Sequence, residues 1–582
     1  MENESTFVAP EGVYSLTEDH KPVPVTHNAP GPLFPTRLSA ALVRFPPAKP
    51  APSPGLTQLL GGSKDSWKDR APPHRDDAAS VSSSDSPDDP TSPDPSNAQD
   101  SVPPTPVPSH DQHHGLFAHH PAPKKKSASR PKHNMRTTSS TFITRLHSLE
   151  GLSRALQAKQ GDVTFLFYNS AKNFYWLETG LKSKDPLTRI SFSAYPTCHD
   201  VNQATVSHEH IDVIIGFNTG DLVWFDPIAS RYGRLNKQGR ISKSPCTAVR
   251  WVPSSPNLFL VSHADGTIIV YDKDRDDGLF APQHPHSGLP QPPSARPAAG
   301  AGEWNPLDTI FVTMPPWHPR DKAAKNPVSH WKVAHRSIVD FVFSPDVKYV
   351  AAISEDGCLR VIDTLAEQLV DCYAAYFGAL TSVAWSPDGR FIITGGQDDL
   401  VNIFSPWEQR VIARCQGHSS FVSAVAFDDA RCDGRTYRFG SVGEDNKLIL
   451  WDFSSGVLHR PKLQPTQRLS TASTLSLALR RRDAAATDRS TLHLPTPLAD
   501  GPLPRYHPAP SRNEVAVVQP VLVKQLEGDI LTAVAFLPRA LLTASKVGHV
   551  KLWIRPLAVR ARRLKHGHAA HRVASMTLDS VG

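Results

Sequence analysis

The sequence predicts an all-β fold, a ring of seven small antiparallel sheets closed as a β-propeller, with a long disordered N-terminal region and two long inserted loops. Three observations carry this expectation. One strand-and-turn pattern occurs twice in succession between Phe377 and Phe453, looser copies lie on both sides of it, and the rest is too rich in proline for packed sheet. Leu380-Thr-Ser-Val-Ala-Trp-Ser-Pro-Asp-Gly389 followed by Phe391-Ile-Ile-Thr-Gly-Gly-Gln-Asp-Asp-Leu-Val-Asn-Ile-Phe404 is the first copy; Gly417-His418 opens the second, which closes on Trp451-Asp452. Each holds short apolar runs with period-two alternation between tight-turn residues, the sequence form of short antiparallel strands. Ser386-Pro-Asp-Gly389 supplies a proline suited to the second turn position and a glycine that tolerates positive φ. So small a sheet cannot bury both faces alone, and copies must stack. A period of about 40–45 residues with Gly-His and Trp-Asp marks is that of four-stranded propeller blades.

In the second copy His418, Ser441, Asp445 and Trp451 resemble the hydrogen-bonded tetrad of WD40 blades, and no other blade has all four. The blades can be counted outward from there. A weak first is Phe165 to Leu177, a second Val213 to Asp226, a third Thr247 to Asp272, a fourth Ile338 to Asp363; the two repeats are the fifth and sixth, and Leu531 to Trp553 is the seventh. Strand-ending positions 226, 272, 363, 405, 452 and 554 are separated by steps of 46, 91, 42, 47 and 102 residues. The two double steps lack paired β runs and read as insertions at about 275–328 and 460–510, looped out of the ring. The organisation expected is therefore 1–140 mostly disordered, 141–556 propeller, and 557–582 a basic disordered tail. Gly12-Val-Tyr-Ser-Leu16 is a candidate extra strand, and His147 to Gln160, with leucines at 149, 152 and 156, a candidate short helix.

Composition sets limits. The chain has 582 residues but 55 prolines and a hydrophobic share of only 39%, so the fold is smaller than the chain. Apolar runs fall short of the roughly 20 residues that cross a bilayer, and the start lacks a secretory signal; cytoplasmic and/or nuclear residence is expected. Six scattered cysteines without a C-x-x-C pair suggest buried, inert thiols. The histidines 110, 113, 114, 119 and 120 form a biased polar tract rather than a metal site. Lys124-Lys125-Lys126 with Arg130 and Lys132 reads equally as a nuclear import signal or as solvated charge. The net charge of +7 sits in linker and tail without aromatic stacking platforms, so direct nucleic-acid recognition is not expected.

Catalytic, cofactor and metal motifs are missing: there is no G-x-S-x-G, G-x-x-x-x-G-K-[ST], G-x-G-x-x-G or H-E-x-x-H. Asp356, Asp398, Asp399 and Asp445 each fall where a blade needs a turn acid, and His418 reads as a tetrad member rather than a base. No enzyme is expected, and no cofactor.

Several segments outside the repeats are similar to one subfamily, the fungal catabolite repression protein CreC and its animal WD-repeat relatives that assist ubiquitin-specific proteases. They are Ala9-Pro-Glu-Gly-Val-Tyr14, Cys198-His-Asp-Val-Asn202, Asp212-Val-Ile-Ile-Gly-Phe217, Arg234-Leu-Asn-Lys237, His263 to Lys273, Tyr376-Phe-Gly378 and Tyr506-His-Pro508. Loops such as Cys198–Asn202 are not required by any propeller, which makes them more specific than the blade motifs. The resemblance implies a non-catalytic scaffold that stabilises or activates a CreB-type ubiquitin-specific protease in carbon catabolite repression. Tyr376, Phe377 and Phe421, in loops that join one blade to the next, are the candidate partner anchors; packing between blades is the alternative use of the same side chains. The competing readings are a substrate receptor of a cullin-type ubiquitin ligase, whose Trp-Asp-x-Arg motif Trp451-Asp-Phe-Ser454 meets only in part, and a general phosphopeptide-binding propeller.

Overall fold

The computed structural model describes residues 5–21, 34–47, 129–135, 140–180, 185–282, 310–315, 324–454 and 505–556. Among them the chain forms seven sheets, six of five strands and one of four. The innermost strands, one per blade, are Leu38–Phe45, Pro196–Val201, Cys246–Trp251, Ile338–Phe343, Leu380–Trp385, Val422–Phe427 and Leu531–Phe536, and each touches the next around a closed ring.

Seven strands can converge on an axis only if the side chains facing it are small. The third residue of each inner strand is Ala40, Cys198, Ala248, Asp340, Ser382, Ala424 or Ala533, and together these line a central channel of about 280 Å3. In six of the strands the pairing register slips just after the first residue, leaving Thr197, Thr247, Val339, Thr381, Ser423 or Thr532 as a bulge. The repeated threonine has a use there. Thr197 Oγ1 donates to the Cys246 carbonyl of the next blade at 2.7 Å, Thr532 Oγ1 to the Thr36 carbonyl at 3.1 Å, and Thr381 Oγ1 to the Val422 carbonyl. Apolar side chains on the two faces of each sheet fill the spaces between blades, with Trp176, Trp331, Trp451 and Trp553 fully buried.

Ring closure uses the N-terminus twice. Gly12–His20 pairs antiparallel with Val550–Ile554 as the fourth strand of the seventh blade, and Thr6–Ala9 adds a fifth. Leu38–Phe45 then pairs with Gly161–Ser170 as the inner strand of the first blade. Gly12 to Leu16 is thus a strand, and the propeller begins at Thr6 rather than at 141. The first blade looked weak because its inner strand comes from more than a hundred residues upstream.

Three further expectations change. The helix spans only Leu152–Gln157, opened by Gly151 at φ 68°; His147 and Ser148 belong to the edge strand Ile143–Ser148, Leu156 is buried and Leu149 is exposed. The insertion after Asp272 is pinched where Asp277 bridges to Asn326 and returns as Phe311–Thr313 and Ser329–Lys332 on the third blade. The later insertion ends earlier than expected: Arg505–His507 lies parallel to the outer strand of the fourth blade, Ala516–Val518 parallel to that of the fifth, and Pro520–Gln525 is the outer strand of the sixth. Residues 505–525 therefore strap three blades. The histidine tract, Lys124–Lys126 and the 557–582 tail lie outside the described residues; Lys132 is within them, 3.3 Å from Asp276. Among the described residues, no helix is long and apolar enough to cross a membrane.

Candidate partner-binding face

The loops joining blades share one face of the ring with the turns between second and third strands, because the first residue of each inner strand pairs with the last of the second. Phe377 and Phe421 occupy consecutive joining loops, ahead of the fifth and sixth blades, and their side chains are 71% and 39% exposed. They are on the surface, not between blades.

Each loop is fixed from below. Gln397 donates its backbone N–H to the Ala379 carbonyl at 2.9 Å, and its Oε1 accepts from the Ala379 N–H at 3.0 Å. Gly378 stands at φ 66°, where a Cβ would come within 2.8 Å of the Gln397 side chain; only glycine fits this close approach. Phe377 is thus held out by a rigid turn. Tyr376 is half-buried, with the Arg512 guanidinium of the strap 5.6 Å above its ring. Of the three candidate anchors it is the one the fold covers.

Phe421 rests on the tetrad. Asp445 accepts from His418 Nδ1 at 3.0 Å and from the Ser419 N–H at 2.9 Å, His418 Nε2 lies 2.8 Å from Ser441 Oγ, and Trp451 Nε1 donates to that same oxygen at 2.8 Å. One neutral tautomer satisfies every group: Nδ1–H donates to Asp445, and Nε2 accepts from the Ser441 hydroxyl. Burial pushes the His418 pKa down, with Asp445 offsetting only part of the effect, which agrees with that tautomer. The Phe421 carbonyl in turn accepts the Glu444 N–H at 2.9 Å. Exposed Glu444 and Glu355, in the turns between second and third strands of the sixth and fourth blades, put carboxylates on the same face as the two phenylalanines. Sequence reasoning overlooked these acids, because a turn glutamate carries no repeat signal.

Of the remaining turn acids, Asp356 and Asp398 serve the backbone, whereas Asp399 Oδ1 is buried without a hydrogen-bond partner. Asp356 accepts from the Cys358 N–H at 3.0 Å and pairs with Arg360 at 2.8 Å, and Asp398 accepts from the Leu400 N–H at 3.2 Å. Blade two has a variant of the tetrad that its sequence did not announce: His210 lies between Asp226, at 2.8 Å from Nδ1, and Asp212, at 2.8 Å from Nε2, while Trp224 Nε1 donates to Asp212 at 2.6 Å. Burial alone would lower the His210 pKa, but the two carboxylates outweigh it and hold it at about 9. Among the described residues, no group of His, Cys, Asp and Glu could hold a metal ion.

Seven blades, a complete tetrad in the sixth, and two aromatics raised on one face define a WD-repeat β-propeller. The family model described as WD domain, G-beta repeat matches residues 326–363 and 368–405, each span joining the outer strand of one blade to the first three of the next. The UBP9-binding protein bun62 of Schizosaccharomyces pombe is 36% identical over 425 residues, which are 72% of this chain and 75% of the relative. The chain belongs to the family of WD-repeat proteins that includes bun62.

Proposed function

We propose that this protein is a non-catalytic propeller that binds a ubiquitin-specific protease, of the CreB type in carbon catabolite repression, and stabilises or activates it in the cytoplasm and/or nucleus. The observation that carries this reading is the relationship to a protein named for binding UBP9, over three quarters of that protein's length. The face bearing Phe377 and Phe421 supports it. Two exposed aromatics on rigid loops, in adjacent blades, have the character of interface anchors: large apolar area presented at little entropic cost. Flanking carboxylates from Glu355 and Glu444 favour a partner surface with basic residues around an apolar centre. Activation follows when the propeller binds the competent arrangement of the protease more tightly than the other arrangements.

The test is to add the purified chain to a ubiquitin-specific protease from the same host and follow cleavage of a fluorogenic ubiquitin substrate. A rise in rate that saturates with propeller concentration supports the reading. No binding and no rate change would leave only a general scaffold.

A further inference from the structure

The face opposite Phe377 and Phe421 has an apolar slot of about 290 Å3 between the fourth and fifth blades, lined by Tyr349, Trp385, Trp407 and the prolines 345, 387 and 406. Every lining residue comes from the ends of strands or from turns on that face. Trp407 is 56% exposed at the turn after Leu400–Ser405. The polar groups around the slot are engaged: Trp385 Nε1 donates to the Gly389 carbonyl at 3.0 Å, and Asp388 accepts from Ser386 at 2.8 Å and from Tyr437 at 2.5 Å. What remains open is flat and aromatic. Aromatic-walled grooves of this kind suit left-handed, proline-bearing extended segments, which are pre-ordered and expose their backbone without internal hydrogen bonds.

The described strands on either side of the later insertion both open onto the face of this slot. Lys447–Ser454 of the sixth blade runs toward the Trp407 face, since Ser454 pairs with Thr436 at the start of the preceding strand. The chain is next described at Arg505–His507, which runs away from that face on the outer edge of the fourth blade, parallel to Asp371–Tyr373. Both ends of the intervening stretch therefore point to the same face, on blades six and four, and the slot lies between them. The re-entry is anchored: His507 Nε2 is 2.8 Å from Asp371 Oδ1, and its ring stacks on Tyr373 at 4.5 Å. Seven to eleven residues before Arg505 stands Leu494-Pro-Thr-Pro-Leu498. At about 3.1 Å per residue that separation spans roughly 20–35 Å, the width of a blade or two.

We propose that Leu494–Leu498 docks in the Trp407 slot of its own propeller, so that the insertion straps the fifth blade on the face away from Phe377 and Phe421. Tethering gives the segment an effective concentration on the order of millimolar, so a modest intrinsic affinity fills the slot. The assignment does not depend on the identity of the partner bound on the opposite face.

The experiment uses the full chain and a fluorescein-labelled peptide of residues 491–504, read by anisotropy. A chain carrying Leu494→Ser, Pro495→Ala and Pro497→Ala has an empty slot and is expected to bind the peptide at least tenfold more tightly than the wild type, whose slot is filled in cis. Adding Trp407→Ala to that chain is expected to remove the gain, with the melting temperature unchanged because Trp407 is not core. Equal peptide binding by wild type and the segment variant overturns the proposal. So does a slot that ignores this peptide but binds unrelated proline-rich peptides, which would assign it to another protein.

Discussion

Asp445 holds together the candidate face, accepting from His418, from the Ser419 N–H and, at 3.2 Å, from the Lys447 N–H. Ser441 completes the chain of bonds to Trp451. Ser441→Ala leaves two buried nitrogens without partners, each costing about 1–3 kcal/mol, so a loss of about 2–4 kcal/mol is expected in urea denaturation. Gly443 is equally constrained, since a Cβ there would meet His418 Nδ1 at 2.8 Å and the Phe421 carbonyl at 2.9 Å. Gly443→Ala is expected to destabilise by about 1–3 kcal/mol and to weaken partner binding by displacing Phe421. His210 supplies a pH signature. Its folded pKa of about 9 is above the ordinary histidine value of 6.5, so its stabilising contribution is complete below about pH 6.5 and is lost as the pH rises through 9. The melting-temperature gap between wild type and His210→Gln should accordingly be widest near pH 6 and shrink toward pH 9.5; a gap that grows with pH would mean that His210 is neutral in the fold.

At the scale of elements, the N-terminal hairpin decides whether the ring is closed. Phe7 stacks on Tyr14 at 4.7 Å and meets the edge of Trp553 at 5.2 Å. Glu11 pairs with Arg438 of the sixth blade at 2.7 Å, and Arg438 also holds Asp452. The hairpin thus ties two blades together. Phe7→Ala should cost about 3–5 kcal/mol. Deleting residues 1–21 bares the Val550–Ile554 edge and Trp553, and is expected to lower the melting temperature and promote association through the open strand, as size-exclusion chromatography would show. Sequence reasoning could find Gly12 to Leu16 as a strand but not its place, because its partner lies more than five hundred residues away. The parallel edge strands Arg505–His507 and Ala516–Val518 were illegible for a related reason: they are three residues long, lack alternation, and depend on neighbours already formed.

For the whole molecule, the ring was legible where each blade carries its own signal. Thr-x-Val at Thr247, Thr381 and Thr532, turns such as Asp265-Gly266 and Asp356-Gly357, and Trp451-Asp452 at the end of the sixth blade's third strand reflect contacts made within a blade, and they are readable without knowing its neighbours. Leu38–Phe45 pairs with a strand more than a hundred residues downstream, and no blade mark accompanies it in the sequence. The candidate face divides in the same way. Phe377 and Phe421 could be placed on one face from loop position alone, whereas the Arg512 cover on Tyr376 comes from a strap that sequence spacing did not reveal. Tyr376→Phe is therefore expected to change partner binding less than either phenylalanine truncation.

The proposed role places a ubiquitin-specific protease on the face carrying Phe377 and Phe421. Its most direct test is calorimetric titration of the host's protease with wild type, Phe377→Ala and Phe421→Ala, each first shown to melt at the wild-type temperature. Saturable binding by the wild type and a loss of about 1–4 kcal/mol for each variant are expected. Undiminished binding by both variants, or none by the wild type, would contradict it.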